Sequence, residues 1–251
     1  MSRYFLEVSY KGTNYSGFQV QENANSVQEE IEKAFSIYFR ISFQMTGSSR
    51  TDTGVHAVQN FFHFDCDETI PKAALYNINS ILPDDIVVRN IYRVSAAAHA
   101  RFDAVSREYN YYVHPLKDPF LRDRAYYYPY KMDIEKLQAA AKIIMEYEDF
   151  TSFSKRNTQT KTFLCTIIES DWKKMENYFV YEVKANRFLR GMVRGLVGTM
   201  LQAGRNRISM EEFRAVIESR DCTRADFSVP GHGLFLANVN YPDGLLKKVD
   251  D

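Results

Sequence analysis

Hydrophobic and polar positions alternate over the first ten residues. Tyr4, Leu6, Val8 and Tyr10 fall on one side, and Arg3, Phe5, Glu7 and Ser9 on the other, the period of a half-buried strand. A loop follows at Lys11-Gly12-Thr13-Asn14 and Ser16-Gly17. Ser26-Val27-Gln28-Glu29 has the form of a capping box, and Val27, Ile31, Phe35 and Tyr38 then lie along one side of a helix. Residues 43–46 and 58–65 read as strands separated by the polar stretch 47–56. A helix near residues 71–79 and strands near 86–94 and 107–114 complete a β-α-β-β-α-β-β order, a mixed α/β pattern.

Residues 115–129, with Asp118-Pro119 and the consecutive Tyr126, Tyr127 and Tyr128, read as a connection. Beyond it Asp133 caps a helix that turns Ile134, Leu137, Ala141 and Ile144 inward. Residues 161–172 and 178–184 form an expected antiparallel pair, and residues 187–203 a long helix. Ser209-Met210-Glu211-Glu212 is a second capping box, and residues 233–241 a last strand. The expected fold is therefore α/β (α+β), with two similar domains at residues 1–114 and 115–251. Each is a mostly antiparallel mixed sheet with packed helices.

Composition changes this picture little. Of 251 residues 45% are hydrophobic and 25% charged, enough apolar material for a core and too much for a disordered chain. No apolar run reaches the roughly 18 residues of a membrane span. The opening residues lack the apolar centre of a signal peptide, so a cytoplasmic protein is expected. Cys66, Cys165 and Cys222 are far apart, and the five histidines show no ligand spacing, which argues against a metal site or disulfide framework. The 32 basic and 32 acidic residues balance, so a nucleic-acid partner would require basic side chains gathered on one face.

Three stretches could carry chemistry. In Gly47-Ser48-Ser49-Arg50-Thr51-Asp52-Thr53-Gly54-Val55-His56-Ala57, Asp and Gly suit an ordinary turn. Arg50, two residues before Asp52, could hold that carboxylate ionised or clamp a phosphate. On a helix over 187–203, Arg187, Arg190 and Arg194 would form one stripe with Gly191 and Gly198 among them. Those glycines call for a close backbone neighbour, either another element or a phosphate chain. Ser106-Arg107-Glu108-Tyr109-Asn110-Tyr111-Tyr112 reads as a sheet face filled by tyrosines, or as a platform for stacking a base.

Together these stretches resemble the tRNA pseudouridine synthase A family. Arg50-Thr51-Asp52-Thr53-Gly54-Val55-His56 is similar to its R-T-D-x-G-V-H signature, which implies Asp52 as catalytic nucleophile and Arg50 as a substrate-binding arginine. Tyr109 falls at the family's active-site tyrosine. The run from Ala185 through Asn186, Phe188 and Arg190 to Arg194 resembles A-N-x-F-x-x-x-M-V-R, which implies that Arg194 lies near the aspartate. Gly233-Leu234-Phe235-Leu236 looks like the closing G-L-x-L strand, whose first leucine, Leu234, lines the uracil pocket. Tyr10-Lys11-Gly12, Gly17-Phe18-Gln19, Asp149-Phe150-Thr151-Ser152-Phe153 and Tyr241-Pro242 also fit. Lys11 stands where the family commonly has Asp, and Phe18 where Trp is usual.

The resemblance implies a homodimer without cofactor or metal, with two sheets joined around a central cleft. It also implies an isomerase converting uridine to pseudouridine in the anticodon arm of tRNA, at positions 38 to 40 in tRNA numbering, with base flipping. From the residues alone a catalytically silent RNA-binding protein on the same scaffold remains an alternative. A nucleoside hydrolase is another, although no paired-carboxylate motif stands out.

Overall fold

The computed structural model describes residues 1–71, 73–156 and 160–248. It contains strands β1 (Ser2–Tyr10), β2 (Thr46–Gly47), β3 (His56–Cys66), β4 (Ile86–Val94), β5 (Ser106–His114), β6 (Tyr126–Tyr127), β7 (Ile167–Lys174), β8 (Phe179–Ala185), β9 (Leu234–Asn240) and β10 (Lys247–Lys248). The helices are α1 (Val27–Phe39), α2 (Ala74–Ile81), α3 (Ile134–Ile144), α4 (Met192–Gly204) and α5 (Met210–Glu218). The fold is mixed α/β, and its strands pair mostly antiparallel. The chain forms two compact units, residues 1–105 with 236–251, and residues 106–235.

In the first unit the strands run β10-β4-β1-β3, with residues 236–240 beside β3. β1 is central and antiparallel to both neighbours, with Phe5 opposite His63 of β3 and Tyr92 of β4. The expectation of a half-buried β1 is corrected here. Tyr4, Phe5, Leu6, Val8, Ser9 and Tyr10 are all buried, so both faces of the strand are covered. On one face Phe64 takes the edge of Phe35 from α1 at 5.4 Å. On the other, Tyr241 packs edge-on to Phe5 and Phe61 at 5.4 and 5.1 Å. A strand sandwiched in this way buries residues of either parity, and the weak alternation of Phe5 with its neighbours follows from that.

α1 starts where its cap predicted, with Ser26 Oγ accepting from the Glu29 N–H at 3.3 Å. The next two N–H groups of this first turn are met by tertiary bonds. The Val27 and Gln28 N–H groups donate to the Gly17 and Phe18 carbonyls at 3.3 and 3.0 Å.

In the second unit β8 lies between β5 and β7, antiparallel to each, and β6 adds a short parallel pairing to β5. Tyr181 sits opposite both Tyr111 and Trp172; all three are fully buried. Trp172 donates from its indole N–H to Met200 Sδ of α4 at 3.3 Å, fixing helix against sheet. Here the Ser209 box closes completely: Ser209 Oγ accepts from the Glu212 N–H, and Glu212 accepts from the Ser209 N–H at 2.7 Å.

The long helix expected over residues 187–203 is shorter. It begins at Met192, because Gly191 takes a left-handed φ of 76° as its N-cap. Arg187 and Arg190 therefore lie in the segment leading to α4 and share no helical stripe with Arg194.

Candidate active site

In the first unit Asp52 sits on a turn built by its neighbours. The Val55 N–H donates to the Asp52 carbonyl at 3.1 Å, and Gly54 takes the left-handed position at φ 76°. Two earlier loops hold this turn. Phe18 N–H donates to the Thr51 carbonyl at 3.1 Å, and Thr53 Oγ1 donates to the Ser16 carbonyl at 3.1 Å. Gly12 lies so close that a Cβ there would be 2.0 Å from the Val55 carbonyl oxygen. Its N–H donates to His56 Nδ1 at 3.0 Å, so that buried nitrogen is an acceptor.

Below the turn, the Thr51 hydroxyl pairs with Tyr10 OH at 2.8 Å, and Asn60 Nδ2 donates to Tyr10 OH and to the Ser49 carbonyl. Phe18 stacks on Phe62 at 4.7 Å, over Gly47. The Lys11-Gly12 and Gly17-Phe18 loops are thus the frame of the aspartate turn. The result is a half-exposed carboxylate on backbone fixed from three sides.

Of the two roles open to Arg50, holding the Asp52 carboxylate is not the one observed. Its side chain is exposed and forms no ion pair or hydrogen bond among the described residues. Thr51, between them, is pinned by Tyr10 and Phe18, contacts in which Arg50 has no share.

In the second unit, Tyr109 is buried on β5 and meets Phe188 edge to face at 5.0 Å. Tyr111, two residues on and on the same strand face, donates its OH to the Pro230 carbonyl at 2.8 Å. Burial pushes the Tyr111 phenol well above its ordinary pKa, against the nearby positive charge of Arg194, so it is a neutral donor. Gly233 backs onto that ring, where a Cβ would stand 2.8 Å from it. Leu234, the next residue, is buried.

Arg194 is held by backbone. Its Nε donates to the Val229 carbonyl at 2.8 Å and its Nη2 to the Phe227 carbonyl at 3.4 Å. The interior glycines of α4 explain why that segment can come so close. A Cβ on Gly195 would be 2.8 Å from the Phe227 ring, and one on Gly198 would be 2.1 Å from the Asp226 carbonyl oxygen. Another part of the chain, and not a phosphate, answers the need for a close neighbour. Little in the chain's side chains announces this clamp, because main-chain carbonyls of residues 227 and 229 form it. The one available signal was Asp226-x-Ser228, an Asx turn in which Asp226 accepts from the Ser228 N–H at 2.8 Å.

Asn186 is a brace. Its carbonyl accepts from Arg107, and its side chain accepts from the Thr166 N–H at 2.9 Å. Arg190 is exposed, and its carbonyl accepts from the Lys155 N–H at 3.0 Å. No cluster of metal-ligating side chains occurs among the described residues, and no helix among them is long and apolar enough to cross a membrane.

The tRNA pseudouridine synthase family matches residues 7–103 and 143–242, which carry the Asp52 turn, β8, the Arg194 helix and the Leu234 strand. The chain belongs to that family. Among its relatives is a protein of Parabacteroides distasonis named tRNA pseudouridine synthase A, 44% identical over 252 residues and covering 100% of both chains. A protein of the same name from Bacteroides thetaiotaomicron is 44% identical, covering 99% of this chain and 94% of its own. One from Bacillus subtilis is 38% identical over 93% of this chain and 97% of its own.

Proposed function

We propose that this chain is an isomerase that converts uridine to pseudouridine in tRNA, at the anticodon-arm positions 38 to 40, with Asp52 as its nucleophile. Family membership along nearly the whole chain carries this reading. The Asp52 turn supports it, since a carboxylate held on fixed backbone needs little reorganisation to react.

The reaction breaks the N1–C1′ bond, turns the uracil and joins C5 to C1′. The C5 proton leaves and N1 gains one, so nothing is oxidised or reduced. One carboxylate serves either route, by attacking C1′ or by taking a C2′ proton to give a glycal. A base inside a stacked stem is out of reach, so the uridine flips out. In this reading Tyr109 and Phe188 give the uracil an aromatic surface and Leu234 an apolar wall. Arg194, steered by two carbonyls, brings a fixed positive charge to the reacting nucleotide. The exposed Arg50 and Arg190 contact phosphates, and Asn186 braces the segment that carries Phe188 and Arg190. The proposed assembly is a homodimer, which light scattering on the purified protein tests.

Incubation with unmodified tRNA transcripts tests the function. The expected product has unchanged mass and retains a carbodiimide adduct through alkali. Free uracil would instead mark a hydrolase, and binding without product a silent RNA-binding protein.

A further inference from the structure

The second unit has a surface cleft of about 350 Å³ whose lining includes Lys155, Arg156, Phe163, Arg220, Asp221 and Cys222. Its lining brings together the side chains of Lys155, Arg156 and Arg220 and the carboxylate of Asp221. Asp221 Oδ1 accepts from the Thr223 N–H at 2.9 Å, and the Thr223 hydrogen bonds, with the Arg156 and Arg224 charges, hold its carboxyl below the usual carboxylate range.

Arg220 occupies this place at some cost. It follows α5 in the left-handed conformation, φ 51°, where glycine or asparagine is usual. An ion pair from its Nε to Asp149 Oδ2 at 3.0 Å steadies it, leaving its two Nη groups as donors for a ligand. Asp149 is itself fixed by the N–H and hydroxyl of Thr151, at 3.0 and 2.6 Å. The stem of Lys155 lies over Gly191, where a Cβ would be 3.1 Å away, so the absence of a side chain at 191 makes room for this lysine. Arg156 is exposed and makes no hydrogen bond or ion pair among the described residues.

We infer that this cleft is a subsite for one unpaired nucleotide of the RNA substrate. Lys155, Arg156 and Arg220 hold its phosphodiester, and Phe163 receives its base. Cations beside a half-buried aromatic ring are the combination that binds unstacked nucleotides, one serving the backbone and the other the base face. The inference rests on the tRNA reading above and extends it to a contact outside the reacting uridine.

Cys222 supplies the readout, since Cys66 and Cys165 are buried and Cys222 is partly exposed. Native protein is treated with a maleimide with and without tRNA, and the Kd for tRNA is measured across a salt series. Bound tRNA is expected to slow Cys222 labelling at least fivefold. Arg156→Ala should weaken binding about tenfold and lower the salt slope by about 1. Phe163→Ala should weaken binding with the slope unchanged, because stacking releases no counterions. An unreactive or unprotected Cys222, or variants that shift only the melting temperature, would overturn the subsite. Pseudouridine formation by the wild type is scored separately. If it is present while Cys222 stays unprotected, only the subsite fails; if it is absent, the proposed function fails.

Discussion

The carbonyl oxygen of Asp226 occupies the space a side chain at residue 198 would need, 2.1 Å from the Cβ position of Gly198. Neither partner can yield cheaply, since one is helix backbone and the other is the strap whose next carbonyls hold Arg194. Gly198→Ala must therefore lift the strap. The expected result is a loss of about 1–3 kcal/mol in urea denaturation and a fall in kcat that exceeds any rise in KM. Unchanged kcat in the destabilised variant would mean that the strap packs the helix without setting the arginine.

Asp52→Asn keeps the size of the side chain and removes its nucleophilicity. Pseudouridine formation should fall below detection, with the Kd for tRNA within a few-fold of wild type, read by gel shift. Turnover near the wild-type rate would exclude Asp52 as the nucleophile.

Arg190 and Arg194 are four residues apart yet differ in setting, one exposed and the other tied to two carbonyls. Arg190→Ala should weaken tRNA binding more at low salt than at high salt. Arg194→Ala should act mainly on kcat in single-turnover measurements. Were both to change stability alone, these arginines would be structural.

His63 gives the fold a pH dependence. Burial first, then the His99 and Arg3 charges, lower its pKa to about 4, and its Nδ1 accepts from the Ala100 N–H at 3.3 Å. An unfolded histidine titrates near 6.5, so between these values the unfolded chain binds the extra proton. Stability is then complete above about pH 6.5 and falls toward pH 4, by at most about 1.4 kcal/mol per pH unit. His63→Gln should flatten that part of the stability profile in urea titrations. An identical slope in the variant would assign the effect to other groups, His99 first among them.

Features fixed by a few neighbouring residues were legible in the sequence. The Ser26, Asp133 and Ser209 caps each place a helix start, because capping is a bond between residues two or three apart. The turn after Asp52 was legible for the same reason, through Gly54. The start of α4 was not. Arg187 and Arg190 continue its 100° pattern by coincidence, while the left-handed Gly191 and the tie from Asn186 to Thr166 end the regularity. The exposed setting of Arg50 and the partners of Arg194 escaped too. Adjacency to Asp52 does not set a side chain's direction, and the carbonyls that hold Arg194 belong to residues whose side chains say nothing of it.

The first unit draws residues 236–251 from the far end of the chain, whereas residues 106–235 form the second without interruption. The second body can therefore form from one continuous segment, whereas the first needs a segment that lies beyond the whole of the second. A chain cut back to residues 1–235 should then leave the Asp52 half open to proteases, and a chain that keeps residues 236–251 should protect it.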